Sequence, residues 1–309
     1  MEGLYFNGSF AQFKTDLPIP VPEQGESLVR ISLAAVCNTD REIIRGYRPD
    51  FKGVLGHEFV GTVESSDDPR LVGKRVVGEI NQGCGHCIYC LSGREGHCES
   101  RKCIGISGRD GCFARYMTIG SRYLHVLADS LPDEQAVFAE PLAAALEIPE
   151  QVQIRPSDEI CVIGDGRLSF LVAQVLALNG AQVTVLGRHP EKLELFRDFA
   201  KTATELHRRF ETVVDASGSP SGFDSAMSLV RSKGTIVMKS TYAGNKELNM
   251  SAVVVNEISV VGSRCGPFAP ALRLLEKGAL ELPEISLFGL SQWREAFDSR
   301  EFKVGFDLR

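Results

Sequence analysis

The sequence predicts an α/β protein with a β-rich first part and, after it, a doubly wound parallel sheet. Three observations predict it. Up to about residue 145 the chain is rich in glycine and in short apolar runs, such as residues 27–32 and 73–78, which read as strands separated by turns. Beyond Pro156 the texture changes to apolar strands alternating with amphipathic helices. At the head of that second region stands a glycine-rich turn, Gly164-Asp165-Gly166-Arg167-Leu168-Ser169, between an apolar strand and a helical pattern.

In order, residues 159–164 form the first strand of the second part and residues 168–178 a helix ended by Gly180. Gln182–Leu186 follows as the second strand, and residues 212–216, 235–239 and 258–262 as three more. Residues 201–210 read neither as strand nor as helix. The expected division is 1–145 for the β-rich domain and 146–267 for the parallel-sheet domain.

The 309 residues suit about two domains, and 43% hydrophobic with 24% charged residues is ordinary for a globular protein with sizeable cores. A formal net charge of -6 supplies no basic footprint, which argues against nucleic acid and anionic membrane as partners. No apolar stretch reaches the roughly 20 residues of a spanning helix. Nine cysteines, an odd number, and a start without a basic, apolar leader fit a reducing cytoplasm.

Four of those cysteines, Cys84, Cys87, Cys90 and Cys98, follow C-x2-C-x2-C-x7-C, a spacing that lets four thiolates close around one Zn²⁺. A closed Cys₄ set leaves no position open for a substrate, so the expected role is structural. Paired disulfides, the alternative, require an oxidising compartment. Cys103, Cys112, Cys161 and Cys265 read as small core residues or inert thiols.

In the glycine-rich turn, Gly164 permits the tight bend and Gly166 lets a pyrophosphate approach the N-terminus of the helix, with Arg167 and Leu168 in its first turn. Ser169 replaces the usual third glycine. Roughly 20 residues on, an acidic residue would normally bind the adenosine ribose. This chain has Gly187-Arg188-His189 there. Losing that carboxylate removes a repulsion, and Arg188 offers a guanidinium suited to a 2′-phosphate, so NADP(H) is favoured with NAD(H) possible. Ser217, Ser240, Thr241 and Ser263, near C-terminal strand ends, and Lys303 complete the expected cofactor set.

A third constellation lies in the β-rich part: Cys37-Asn38-Thr39-Asp40, then Gly56-His57-Glu58, and later Glu140-Pro141-Leu142. With the Cys₄ loop between the second and third, the chain resembles the zinc-dependent medium-chain dehydrogenase/reductase family, in motif order over nearly its whole length. The resemblance implies a GroES-like β domain joined to a Rossmann domain, a C-terminal return of the chain to the first domain over 268–309, and a second, catalytic zinc bound by Cys37, His57 and Glu140, with Glu58 able to join or leave. It implies further that Thr39 contacts the substrate oxygen and that Asp40 orients the zinc-bound histidine. A histidine that many relatives carry two residues after that aspartate is replaced by Glu42, the candidate proton relay.

The reaction so implied is a hydride transfer between a nicotinamide cofactor and an alcohol, polyol, sugar or hydroxy amino acid, or its carbonyl partner, in a homodimer or homotetramer. The other class of reading is a non-catalytic nucleotide-binding zinc protein on the same fold. Tyr47, Arg48 and Phe51 either border the substrate pocket or serve the surface.

Overall fold

Along Glu26–Ala35, Ser27, Val29, Ile31 and Leu33 are buried while Arg30 is exposed and Leu28 and Ser32 lie between, the period of two that a half-buried strand requires. The computed structural model describes residues 1–242 and 247–309. The chain divides into two compact units, Met1–Glu140 with Phe268–Arg309, and Pro141–Pro267. The first boundary thus falls ahead of residue 145, inside the first turn of the helix Ala139–Gln151.

In the first unit Glu26–Ala35 is the trunk of a sheet that runs Leu124–Val126, Arg75–Gly78, Glu58–Ser66, Glu26–Ala35, Lys303–Asp307, Ile285–Phe288, with Tyr116–Gly120 also paired to the trunk. The C-terminal segment belongs here because Lys303–Asp307 pairs antiparallel with the trunk, Gly305 opposite Ala35. Phe306 then packs edge-on against Phe113 at 4.9 Å inside a core that includes Val29, Ile31, Phe59 and Trp293. This sheet fixes three loop origins: Cys37 just past the trunk, Glu58 at the start of its neighbour, and Lys303 at the start of the returning strand.

The second unit is built on a parallel sheet, six-stranded among the described residues, in the order Lys201–Ala203, Gln182–Leu186, Glu159–Ile163, Phe210–Asp215, Val230–Met238, Ser259–Gly262. Counted along the chain this is 3-2-1-4-5-6, the doubly wound order of dinucleotide-binding folds. Its central strand, Ile160-Cys161-Val162-Ile163, is apolar at successive positions because both faces are covered. Helix Arg167–Leu178 supplies one cover, burying Phe170 through Leu176. Residues 201–210 contain a strand after all: Lys201–Ala203 forms the short sheet edge, and Phe210 already opens the next strand. Three paired residues at an edge carry too little periodicity to read from sequence. No helix among the described residues is long and apolar enough to cross a membrane.

Candidate functional site

In the first unit the turn after the trunk strand and the start of its neighbour bring Cys37, His57 and Glu58 together, with donor atoms all within 4.8 Å of one another. His57 and Glu58 are buried, and Cys37 is partly open. Asp40, wholly buried, stands behind two of the three. Its Oδ2 accepts from the Cys37 backbone N–H at 2.9 Å, while Oδ1 lies 3.2 Å from His57 Nδ1. An imidazole whose Nδ1 faces a carboxylate presents Nε2 as its free donor.

The electrostatics suit a cation. Burial works against a charge on His57, yet the Asp40 carboxylate and Cys37 outweigh it and hold the imidazole well above its ordinary pKa. Thiolate, imidazole and carboxylate at this spacing are the donor types zinc takes in sites that keep a position open. The Thr39 hydroxyl lies 3.7 Å from Cys37 Sγ.

Other expected members are placed differently. Glu140 lies in the first turn of Ala139–Gln151, and the donors within 4.8 Å of one another are those of Cys37, His57 and Glu58. Lys303, expected with the cofactor contacts, belongs to the first unit. There its ammonium pairs with Glu58 Oε2 and donates to the Val36 carbonyl at 3.4 Å, with the side chain 2% exposed. A buried carboxylate needs a counter-charge, and Lys303 is it. Glu42 is turned to Arg45, 2.8 Å away. Arg48 is held by Asp50 and by Ser107 Oγ, and Phe51 is part of the core. Tyr47 packs against the same core.

Cys84, Cys87, Cys90 and Cys98 form a second cluster with sulfurs within 4.8 Å, and none is in a disulfide. The loop closes tightly around them: a Cβ on Gly83 would stand 2.6 Å from Cys90 Sγ. Main-chain N–H groups of His86 and Cys87 pull the Cys84 thiol down to about 6, whereas burial and the neighbouring thiols push Cys90 up to about 12. Tyr123 ties the loop to the sheet, accepting from Gly83 N at 2.8 Å while its hydroxyl meets Glu95.

In the second unit Gly164 has φ +117°, and a Cβ there would meet the Ala216 carbonyl at 2.7 Å, so the turn demands glycine. A Cβ on Gly166 would meet nothing within 4 Å; open space lies over the N-terminus of Arg167–Leu178, which has no side-chain cap. Unsatisfied N–H groups facing open space are what a pyrophosphate needs. Ser169 Oγ bonds the Ala216 carbonyl at 3.2 Å, taking the third-glycine place without an orphaned hydroxyl.

At the far strand ends, Asp215 Oδ1 accepts from Ser217 N and Oγ and from Ser240 Oγ, while Ser240 Oγ accepts from Gly218 N. Thr241 is exposed beside them. Ser263 Oγ accepts from buried Lys239 at 3.2 Å. Arg188 is exposed at the end of Gln182–Leu186, with His189 next to it. Sequence reasoning missed Asp215, Lys239 and Asp165. Only Asp165 left a signal, as an acid in the glycine-rich turn of a chain with glycine at 187.

Two family models match the chain: the alcohol dehydrogenase GroES-like domain over residues 23–129 and the zinc-binding dehydrogenase model over residues 168–277. The chain is similar to a D-arabitol-phosphate dehydrogenase of Enterococcus avium, 29% identical over 92% of this chain and 89% of the relative. In fold it is similar to a zinc-binding dehydrogenase of Sinorhizobium meliloti 1021 bound to NADP, at 24% identity and TM-score 0.86 over 99% of this chain and 98% of that one. It is also similar to a short chain alcohol dehydrogenase (rspB) of Escherichia coli CFT073 complexed with NADH, at 24% identity and TM-score 0.88 over 99% of each.

Proposed function

The chain belongs to the zinc-dependent medium-chain dehydrogenase/reductase family, and from that premise we propose that Cys37, His57 and Glu58 hold a catalytic zinc for nicotinamide-linked oxidoreduction of an alcohol or polyol. The observation that carries this is the convergence of those three donors with Asp40 behind two of them. When bound, zinc supplies Lewis-acid polarisation of the substrate oxygen and the nicotinamide carries the hydride.

The residues of the chain do the rest. Asp40 fixes the tautomer and orientation of His57 and the backbone position of Cys37. Thr39, whose hydroxyl lies 3.7 Å from Cys37 Sγ, relays the substrate's hydroxyl proton. Lys303 balances the charge of Glu58 and so governs how freely that carboxylate can serve the metal. Gly164 and Gly166 leave room for the pyrophosphate at the helix N-terminus. Ser217, Ser240, Thr241 and Ser263 stand at strand ends of the same sheet.

The Cys₄ loop holds a second, structural zinc, so each chain carries two. Arg188, exposed and with no ion pair among the described residues, supports NADP(H) over NAD(H). The edge strand Ser259–Gly262, with exposed Val254, Val255 and Val260 nearby, supports pairing with a second copy as a homodimer, alone or within a homotetramer. An odd count of nine cysteines, with the Cys₄ sulfurs in no disulfide, supports a cytoplasmic setting.

Zinc analysis combined with an NAD(P)H turnover screen over secondary alcohols, polyols, sugars and hydroxy amino acids tests the proposal. Two zincs per chain and turnover with at least one polyol are expected. Cofactor binding without turnover across the whole panel would count against it.

A further inference from the structure

The end of the second strand of the parallel sheet carries no acid of its own, yet a carboxylate stands there. Asp165, from the glycine-rich turn after Glu159–Ile163, reaches across to the segment that follows Gln182–Leu186. Its Oδ2 accepts from the backbone N–H groups of Arg188 at 2.6 Å and His189 at 2.9 Å. The His189 ring Nδ1 lies 3.1 and 3.0 Å from its two oxygens. A Cβ on Gly187 would stand 2.7 Å from both Asp165 Cβ and Oδ2. Glycine at 187 and aspartate at 165 are therefore one arrangement: the space that a side chain at 187 would use is filled from the neighbouring turn.

This changes what glycine at 187 means. Read from sequence, it removes the carboxylate that would bind the ribose hydroxyls of NAD(H) and repel the 2′-phosphate of NADP(H). In the structure that charge is supplied from another element, between the first two strands of the sheet and beside Arg188.

The carboxylate keeps its charge. Burial disfavours it, but the N–H groups of His189 and Arg188 outweigh burial and hold Asp165 below the usual carboxylate range. It also keeps capacity. An ionised carboxylate offers about four acceptor sites, and the two N–H groups and one imidazole nitrogen leave room for a hydroxyl. The side chain is 12% exposed, so it is not sealed off.

We propose that Asp165 is a specificity-determining residue for the nucleotide: it accepts from the adenosine ribose and opposes a 2′-phosphate, working against Arg188 and drawing the balance toward NAD(H). This rests on the reading of the second unit as a nicotinamide-dinucleotide site.

The test is equilibrium binding of NADH and NADPH, followed by nicotinamide fluorescence with the zinc-loaded protein and no substrate. The variants are Asp165→Asn, and Asp165→Gly combined with Gly187→Asp, which moves the carboxylate to the strand end. Asp165→Asn is expected to shift the ratio of the two dissociation constants at least tenfold toward NADPH. The double variant is expected to shift it back. Circular dichroism identifies any variant that has lost its fold, and the double variant then decides, since its ratio should lie at the wild-type value or on the NADH side of it.

If Asp165→Asn binds both cofactors with the wild-type ratio, or loses both equally while folded, Asp165 only shapes the turn and the proposal is overturned. If wild-type protein binds neither cofactor, the dinucleotide reading itself fails and Asp165 has nothing to select.

Discussion

Lys303 and Glu58 form an ion pair with side chains 2% and 1% exposed, joining the returning C-terminal strand to the cluster of Cys37, His57 and Glu58. Removing one partner of such a pair leaves an uncompensated buried charge, at a cost of about 3–5 kcal/mol. Lys303→Met should therefore destabilise the zinc-free protein by about that amount, measured by urea unfolding. With zinc bound the loss should be smaller, because the metal takes up the released carboxylate. Equal losses in the two states would show that Glu58 does not reach the metal.

The Cys₄ loop makes a separate prediction. Cys90→Ser should release one zinc per chain and lower the melting temperature while the other zinc stays, because a closed thiolate site contributes folding energy. Unchanged zinc content would refute a structural site there.

Protons compete with zinc for the same sulfurs, and Cys84, at about 6, is held as thiolate above that pH by N–H groups of His86 and Cys87. As pH falls through about 6 this thiolate is protonated, so zinc retention against a chelator should fall with it. Metal content measured after dialysis from pH 7.5 to 5 checks the sign; a flat profile contradicts it.

Arg188→Ala should weaken NADPH far more than NADH, since only the former has a 2′-phosphate to pair. A charge-assisted hydrogen bond is worth roughly 1.5–3 kcal/mol, on the order of tenfold to a hundredfold in dissociation constant. An unchanged ratio would make Arg188 a solvated surface residue.

The parallel sheet was largely legible in the sequence because apolar strands covered on both faces write continuous runs, and Gln182–Leu186 stands where the pattern predicts it. The three-residue edge Lys201–Ala203 was not, since so short a strand has no period. At the site, the Cys₄ loop was readable from its spacing, and Cys37 and His57 only through the family resemblance that their motifs carry together. The partner of Glu58 was not: Lys303 lies 245 positions away in sequence, and only sheet pairing brings it in. Asp165 was hidden because its carboxylate serves a neighbouring strand rather than its own turn.

The most direct test of the central claim is the rate of nicotinamide reduction with a polyol substrate, measured together with zinc content in wild type, Thr39→Val and Cys37→Ala. Thr39→Val should keep both zincs and bind cofactor normally while turnover falls by about a hundredfold or more, the share typical of a general acid–base step. Cys37→Ala should lose the zinc of that pocket and turnover with it, while the Cys₄ zinc remains. Full turnover by Cys37→Ala without that zinc would contradict the account.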